Sequence, residues 1–465
     1  MLRWTTRWRP PRLLCELDLT EPLLEARSPE LLGRLVERRR PVLAQVLDRL
    51  AEAAEDPHVA GLVAKVGGAP RRLAQAQELS EAVAAFRRSG KPAVAWAETF
   101  GELAPATVGY YLAAAFDEVW LQPSGIVGLT GTVVGSTFLR RALDKAGIEA
   151  EFGRRHEFKN AADVFLEEGF TPAHREASDR LASSTAAQVV AGIAAGRGLS
   201  PDTVAGLVDQ GPLLSGEARA AGLVDRLGYR DEVYEALRAR VGGPTRARFL
   251  TAYRRRGPAR FLARVGAARR PVVAVIHGQG LIRQGRSARG LLGGPAMGSD
   301  TIAAAFRAAA RDRRVGAIVF RVASPGGSHV ASDVIWREVM VARRSGKPVV
   351  ASLGDVAGSG GYFVSMAADA IVADPGTLTG SIGVLGGKLV FARLLDRLGV
   401  DHDAVAVGRH AEMSSWRRGF SESERARLDT WLDEVYRDFV AKVAEARGMT
   451  LDQVDQVARG RVWTG

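Results

Sequence analysis

The chain is written twice. Ser89-Gly90-Lys91-Pro92 followed by AVAWAE returns as Ser345-Gly346-Lys347-Pro348 followed by VVASLG, an offset of 345 − 89 = 256. GYYLAAAFDEVWLQPSGIVGLTGTVVG from Gly109 returns from Gly361 as GYFVSMAADAIVADPGTLTGSIGVLGG, at an offset of 252. GLSPDTVAGLVDQG from Gly198 returns from Gly448 as GMTLDQVDQVARGR, at 250. Drift this small is what a few loop insertions leave, so the simplest account is two copies of one domain. They cover 13–235 and 271–465, with an Arg-rich linker over 237–270. Copy one runs on through SGEARAAGLVDRLG, whereas copy two stops at Thr464-Gly465, the counterpart of Ser215-Gly216. The expectation is a second repeat truncated at its end.

Within each copy, nearly continuous β-branched runs alternate with amphipathic stretches of helical length. That pattern predicts an α/β fold with mostly parallel sheets buried on both faces and right-handed crossovers. In copy two the strands are expected at 271–278, 315–322, 348–354 and 370–374, with helices near 300–311, 330–344 and 360–368. Copy one repeats them as LLCELDL, VAGLVAKV, PAVAWAE and EVWLQ. A long charged amphipathic helix is expected to close each copy, at 172–197 and 421–447.

Composition narrows the function classes. A single cysteine, Cys15, excludes an intramolecular disulfide framework and a Cys-based zinc cluster, and leaves the redox compartment open. No run of about 18 apolar residues occurs, and the first 30 residues lack the apolar centre of a secretory signal. The formal charge of +12 is concentrated: 237–270 holds eleven arginines and no acid. Arg3, Arg7, Arg9 and Arg12 form a second cluster around Trp4 and Trp8. Only seven of the 64 basic residues are lysine, so Arg is the default cation and solvated Arg runs come cheaply. The sharper reading is contact with an anionic membrane surface, using the tryptophans together with Phe249, Tyr253 and Phe261. Nucleic acid is not expected as a partner, since no base-reading motif accompanies the charge.

Chemistry is expected where strands end in Gly-rich turns. Two stand out: Ser324-Pro325-Gly326-Gly327, and the segment from Gly354 through Ser359 to Tyr362. A serine flanked by glycines at a helix start is open to solvent and lies beside free N–H donors that favour developing negative charge. Such a serine is also simply an N-cap in most proteins. A nucleophilic hydroxyl further needs a base. None of the seven histidines sits in a recognised catalytic context, and His329, just past the Pro-Gly-Gly turn, is the one rival base. The alternative is a lysine neutralised by burial, which arginine cannot imitate. Of Lys65, Lys91, Lys145, Lys159, Lys347, Lys388 and Lys442, Lys159 differs from the others because it is flanked by apolar Phe158 and Ala161.

The order SPGG, G-D-x-A-x-S-G-G-Y and TLTGSIG (Thr377 to Gly383), with an earlier F-K-N-A and a late V-W-T-G, resembles the signal peptide peptidase A (protease IV) family. That family comprises tandem-domain serine peptidases of the ClpP/crotonase fold. The resemblance implies Ser359 as nucleophile, Lys159 as general base and Ser381 hydrogen-bonded to the lysine, with backbone N–H groups of Gly326, Gly327 and Gly360 as oxyanion donors. It implies a peptide substrate, hydrophobic and of the cleaved-signal-peptide kind, no cofactor and no metal, and a homo-oligomer such as a tetramer-like ring. The repeat bears on this independently: the counterpart of Ser359 is Thr107 and that of Lys159 is Met413, so each copy keeps one half of the dyad. A composite site between the two domains is therefore expected, within one protomer or across two. The family usually carries an N-terminal membrane-anchoring helix. None is read here, so a cytoplasmic or peripheral membrane location is expected. Gly358 stands where Ala is commoner before the nucleophile. Two other readings compete with the peptidase: a crotonase-type acyl-CoA enzyme and a non-catalytic scaffold at the membrane.

Overall fold

Every strand expected from the β-branched runs forms, and the described part of the chain builds two α/β units. The computed structural model describes residues 11–21, 23–27, 37–67, 72–101, 105–254, 271–289, 294–405 and 409–465. Arg3 to Arg9 of the N-terminal cluster, and 255–270 of the Arg-rich stretch with Phe261, lie outside the described residues.

Unit one comprises Met1–Thr132, Ser184–Pro271 and Asp374–Gly376. Its sheet runs in the order Arg226–Leu227, Glu118–Leu121, Ala93–Ala97, Val59–Val66, Arg12–Leu19 and Thr245–Phe249, parallel throughout. Val59–Val66 is buried along nearly its whole length, as a strand covered on both faces must be. The Arg-rich stretch is not a bare linker over its described part. It supplies the end of helix Arg230–Val241 and the edge strand Thr245–Phe249. Tyr253, expected at a membrane surface, is buried and donates its hydroxyl hydrogen to Asp56 Oδ2 (2.6 Å).

Unit two comprises Val133–Ser183, Val272–Ala373 and Thr377–Gly465. Its sheet follows the order Val272–Gln279, Val315–Ser324, Val349–Gly358, Leu378–Gly380 and Val462–Thr464, parallel except for the last pair. The strand Val349–Gly358 has two successive neighbours on one side. Ala370–Val372 pairs with its first half, and Leu378–Gly380 with its last three residues. The partner change brings new chain against the carboxyl end of the strand, where a site is expected in such sheets.

The helices follow their apolar spacing. Ser299–Arg311 buries Ile302, Ala303, Phe306 and Ala309, one stripe at helical period. The expected closing helices form as Pro172–Arg197 and Glu422–Arg447. The second starts with a capping box, in which Ser421 Oγ accepts from the Glu424 N–H while Glu424 accepts from the Ser421 N–H, and ends at left-handed Gly448.

The duplication shows in matching polar devices. Lys91 Nζ donates to the carbonyls of Ala53, Ala54 and Asp56 at the end of helix Leu43–Glu55. Lys347 Nζ donates likewise to Ala309 and Asp312 at the end of Ser299–Arg311. Each SGKP lysine thus satisfies carbonyls that a helix terminus leaves without partners. Arg87 bonds Asp117 and the Ala115 carbonyl, and Arg343 bonds Asp369 and the Ala367 carbonyl. The two aspartates accept from the first strand N–H of Ala93 and Val349. Replacing Lys347 with methionine keeps the stem and deletes the charge-assisted bonds, so we expect a loss of about 1–3 kcal/mol, read as a lower urea midpoint. An unchanged midpoint contradicts the capping role.

Candidate functional site

Sheet register places the two serines. Gly358 is the Cα partner of Gly380 in the parallel pair, so the next residue on each strand, Ser359 and Ser381, leaves the sheet at the same level. Ser359 N–H donates to the Gly380 carbonyl (2.8 Å) and Ser381 N–H to that of Arg461 (2.7 Å). Both serines have left-handed φ, +53° and +50°, uncommon for residues with a Cβ. Ser359 lies at the turn between Val349–Gly358 and helix Gly360–Ser365, so the strain sits at a strand-to-helix elbow that turns the side chain out of the sheet. The elbow needs its glycines: a Cβ on Gly361 would lie 2.4 Å from the Ser324 carbonyl oxygen, and one on Gly326 2.9 Å from Ser359 Cβ.

Lys159 comes from the front half of the sequence but belongs to the second unit. Strand Glu149–Arg154 pairs antiparallel with Leu385–Val390, and Arg155 N–H continues that ribbon to the Val384 carbonyl. Phe158 N–H donates to the Arg459 carbonyl (3.2 Å), and the Arg459 guanidinium grips Glu157 through two bonds of 3.0 Å. Gly460 closes the turn at φ +85°. A Cβ there would stand 2.5 Å from Lys159 N. Arg461 stacks over the Phe158 ring at 3.6 Å. The composite site expected between 13–235 and 271–465 is therefore corrected: Lys159 and Ser359 meet in one chain and inside one compact unit, because 133–183 packs with the C-terminal repeat.

Lys159 Nζ lies 3.1 Å from Ser359 Oγ, 3.0 Å from Ser381 Oγ and 2.8 Å from the Ser381 carbonyl oxygen. The residue is 5% exposed. Burial pushes its pKa down to about 8, with no carboxylate to restore the charge. A neutral amine has two hydrogens and one lone pair. The two hydrogens match the Ser381 oxygens, and the lone pair is left to accept the Ser359 hydroxyl proton.

The surrounding cleft has a volume of about 510 Å³ and is walled by Leu281, Val330, Phe363, Leu385, Trp431 and Phe439, with Gly327 and Gly360 at the serine. Of the three expected oxyanion amides, Gly326 N–H already donates to buried Ser324 Oγ (3.1 Å). Gly327 is aligned with Ile282 as an isolated parallel bridge, whose bonds run through the Gly326 carbonyl and the Ser328 N–H. That pattern leaves Gly327 N–H turned away from Ile282. Gly360 N–H opens the first turn of its helix. His329, the rival base, also lines the cleft, but its Nε2 faces Asp438 at 3.6 Å and its ring packs edge-on against Phe363. Thr107, the counterpart of Ser359, gives its hydroxyl hydrogen to the Gly131 carbonyl (3.0 Å), and Met413 packs beside Val384 and Leu428.

Gly383, Gly460 and Arg459 shape the lysine's seat and were not singled out from sequence as site residues. For Arg459 and Gly460 the late V-W-T-G was the available signal, since its strand Val462–Thr464 pairs with Leu378–Gly380 and carries 459–461 onto Lys159, and Gly383 closes the TLTGSIG run. Among the described residues no group of His, Cys, Asp and Glu is arranged to hold a metal ion, and no helix is long and apolar enough to cross a membrane.

The site thus sets an elbow serine against a desolvated lysine within an α/β unit. The sequence comparisons supply the assignment. The model of peptidase family S49 matches residues 85–242 and 341–465. Protease 4 of Salmonella typhi is 32% identical over 434 residues, 91% of this chain and 68% of that protein. The chloroplastic serine protease SPPA of Arabidopsis thaliana is 30% identical over 427 residues, 91% of this chain and 62% of that protein. The chain belongs to peptidase family S49. Among solved structures, a ClpP1 mutant from Listeria monocytogenes is similar at 14% identity with a TM-score of 0.25, over 44% of this chain and 87% of that one.

Lowering the lysine pKa from 10.5 to about 8 costs about 3 kcal/mol of folding free energy at neutral pH. Between those two values the unfolded chain still holds a proton that the folded chain has released, so stability rises with pH across that window and the cost is complete below about 8. We expect the unfolding free energy of Lys159→Met minus that of the wild type to shrink by about 3 kcal/mol from pH 7 to pH 10.5. A difference independent of pH contradicts the buried, deprotonated amine.

Proposed function

We propose that the protein is a serine endopeptidase in which Ser359 is the nucleophile and Lys159 the general base. The observation that carries this reading is the 3.1 Å approach of a buried lysine amine to a strained, cleft-facing serine hydroxyl. Neutral Lys159 takes the Ser359 proton as Oγ bonds the scissile carbonyl carbon. The N–H groups of Gly327 and Gly360 receive the oxyanion. The lysine then returns its proton to the leaving amine as the C–N bond breaks; in deacylation Lys159 takes a proton from the attacking water and passes it to Ser359 Oγ as the acyl–oxygen bond breaks. Ser381 orients the amine by accepting its hydrogens.

The apolar walls beside Ser359 favour extended peptides with hydrophobic side chains, and released signal-peptide remnants are the substrate class we assign. The repeat-equivalent Thr107 and Met413 supply neither group of the dyad, which supports one such site per chain.

Ser359→Ala and Lys159→Ala are each expected to lower kcat on an unstructured hydrophobic peptide by about 10⁴-fold or more, with circular dichroism unchanged. Wild-type turnover in either variant refutes the dyad. The log of kcat/KM for the wild type should climb with unit slope below pH 8 and level off near pH 8, as the lysine loses its proton. A plateau already established by pH 6 contradicts a lysine base.

A further inference from the structure

A second hydroxyl in unit two is also wired to a base. Ser136 Oγ lies 3.3 Å from His174 Nε2, and His174 Nδ1 lies 3.0 Å from Asp163 Oδ2. Asp163 is fully buried and His174 is 7% exposed, whereas Ser136 is exposed. The other Asp163 oxygen accepts from the Arg154 guanidinium. An ionised carboxylate only accepts, so His174 must carry its proton on Nδ1 and present the Nε2 lone pair to Ser136. Burial, and the positive charge of Arg154, lower the imidazole pKa. Phe138 and Phe170 flank the imidazole, with ring centroids 5.9 and 4.6 Å away, and meet each other edge-on at 5.7 Å. Phe170 also walls a neighbouring cleft of about 650 Å³.

We propose that Ser136, His174 and Asp163 form a second acyl-transfer site, independent of Ser359, which accepts small aryl esters against the two phenylalanine rings. An exposed serine gains nothing from this bond as a solution to burial, and Asp163 is already held by Arg154 and His174 without it. The arrangement of roles is that of a hydroxyl, a base and an orienting carboxylate. In the step, the Ser136 Oγ–H proton passes to His174 Nε2 while Oγ bonds the ester carbonyl carbon. The bond from that carbon to the aryl oxygen breaks, and the phenol leaves with the proton from Nε2. Water then attacks the acyl carbon, passing one proton through His174 to Ser136 Oγ, and the carboxylic acid departs.

The test uses the full chain carrying Ser359→Ala, so that the outcome does not depend on the Ser359/Lys159 reading. It is treated with a fluorophosphonate and mapped by peptide mass, and separately assayed for p-nitrophenyl acetate hydrolysis. We expect one adduct at Ser136 and ester turnover that disappears with Ser136→Ala. His174→Asn should slow labelling by about 100-fold. Labelling in the folded Ser359→Ala chain should also fall in acid, at a pH below the ordinary histidine value, which reads the histidine without altering it. Failure to label Ser136, or labelling in His174→Asn as fast as in the parent chain, overturns the proposal. Failure of Ser359 to label in the wild-type chain bears on the other dyad alone.

Discussion

A lysine amine kept out of water with no carboxylate beside it is the constraint around which unit two is arranged. Such a group folds only if its hydrogens find acceptors, and the Ser381 carbonyl and hydroxyl oxygens provide two. Its backbone is pressed so closely by Gly460 that no side chain fits there, and Gly383 lies against its stem. The cost of the missing charge is carried by the core around it, including the apolar contacts of Phe363, Met366, Ile382 and Phe439. The reward is a lone pair aimed at the Ser359 hydroxyl.

Three strand ends converge to make this possible. Val349–Gly358 delivers Ser359, Leu378–Gly380 delivers Ser381, and Val462–Thr464, antiparallel to the latter, brings 459–461 across Lys159. A one-residue slip of Leu378–Gly380 would turn Ser381 to the other face and leave the amine without its acceptors. The geometry of the proposed dyad is thus a matter of register as much as of side-chain choice. The first unit repeats the sheet, the SGKP helix cap and the Arg–Asp brace. At the elbow position it carries Thr107, whose hydroxyl is spent on the Gly131 carbonyl.

Much of this was legible in the sequence because it rests on local pattern. A strand buried on both faces is a continuous apolar run, so 59–66 could be read directly; 315–322, apolar too although alternate residues are only partly buried, was equally legible, and glycine clustering marked both the SPGG turn and the elbow at Ser359. Arginine, the habitual cation of this chain, cannot be neutralised, which narrowed the base to seven lysines; the apolar neighbours Phe158 and Ala161, and then the family resemblance, singled out Lys159. Pairings between segments far apart in sequence were not legible. Strand Glu149–Arg154 has a modest, mixed sequence, and its partner Leu385–Val390 is Gly-rich, so neither announces that 133–183 packs with the second repeat. Nor could sequence reveal that Ser324 Oγ takes the Gly326 amide, or that His174, one histidine among several without a motif, stands between Asp163 and Ser136.

The most direct measurement of the central claim is the ionisation of the lysine itself. Seven lysines make ¹³Cε NMR of ¹³C-lysine-labelled protein tractable, with Lys159→Met assigning the resonance. The account predicts that Lys159 titrates with a midpoint near 8. A midpoint above 10, the value of a solvated amine, would contradict it.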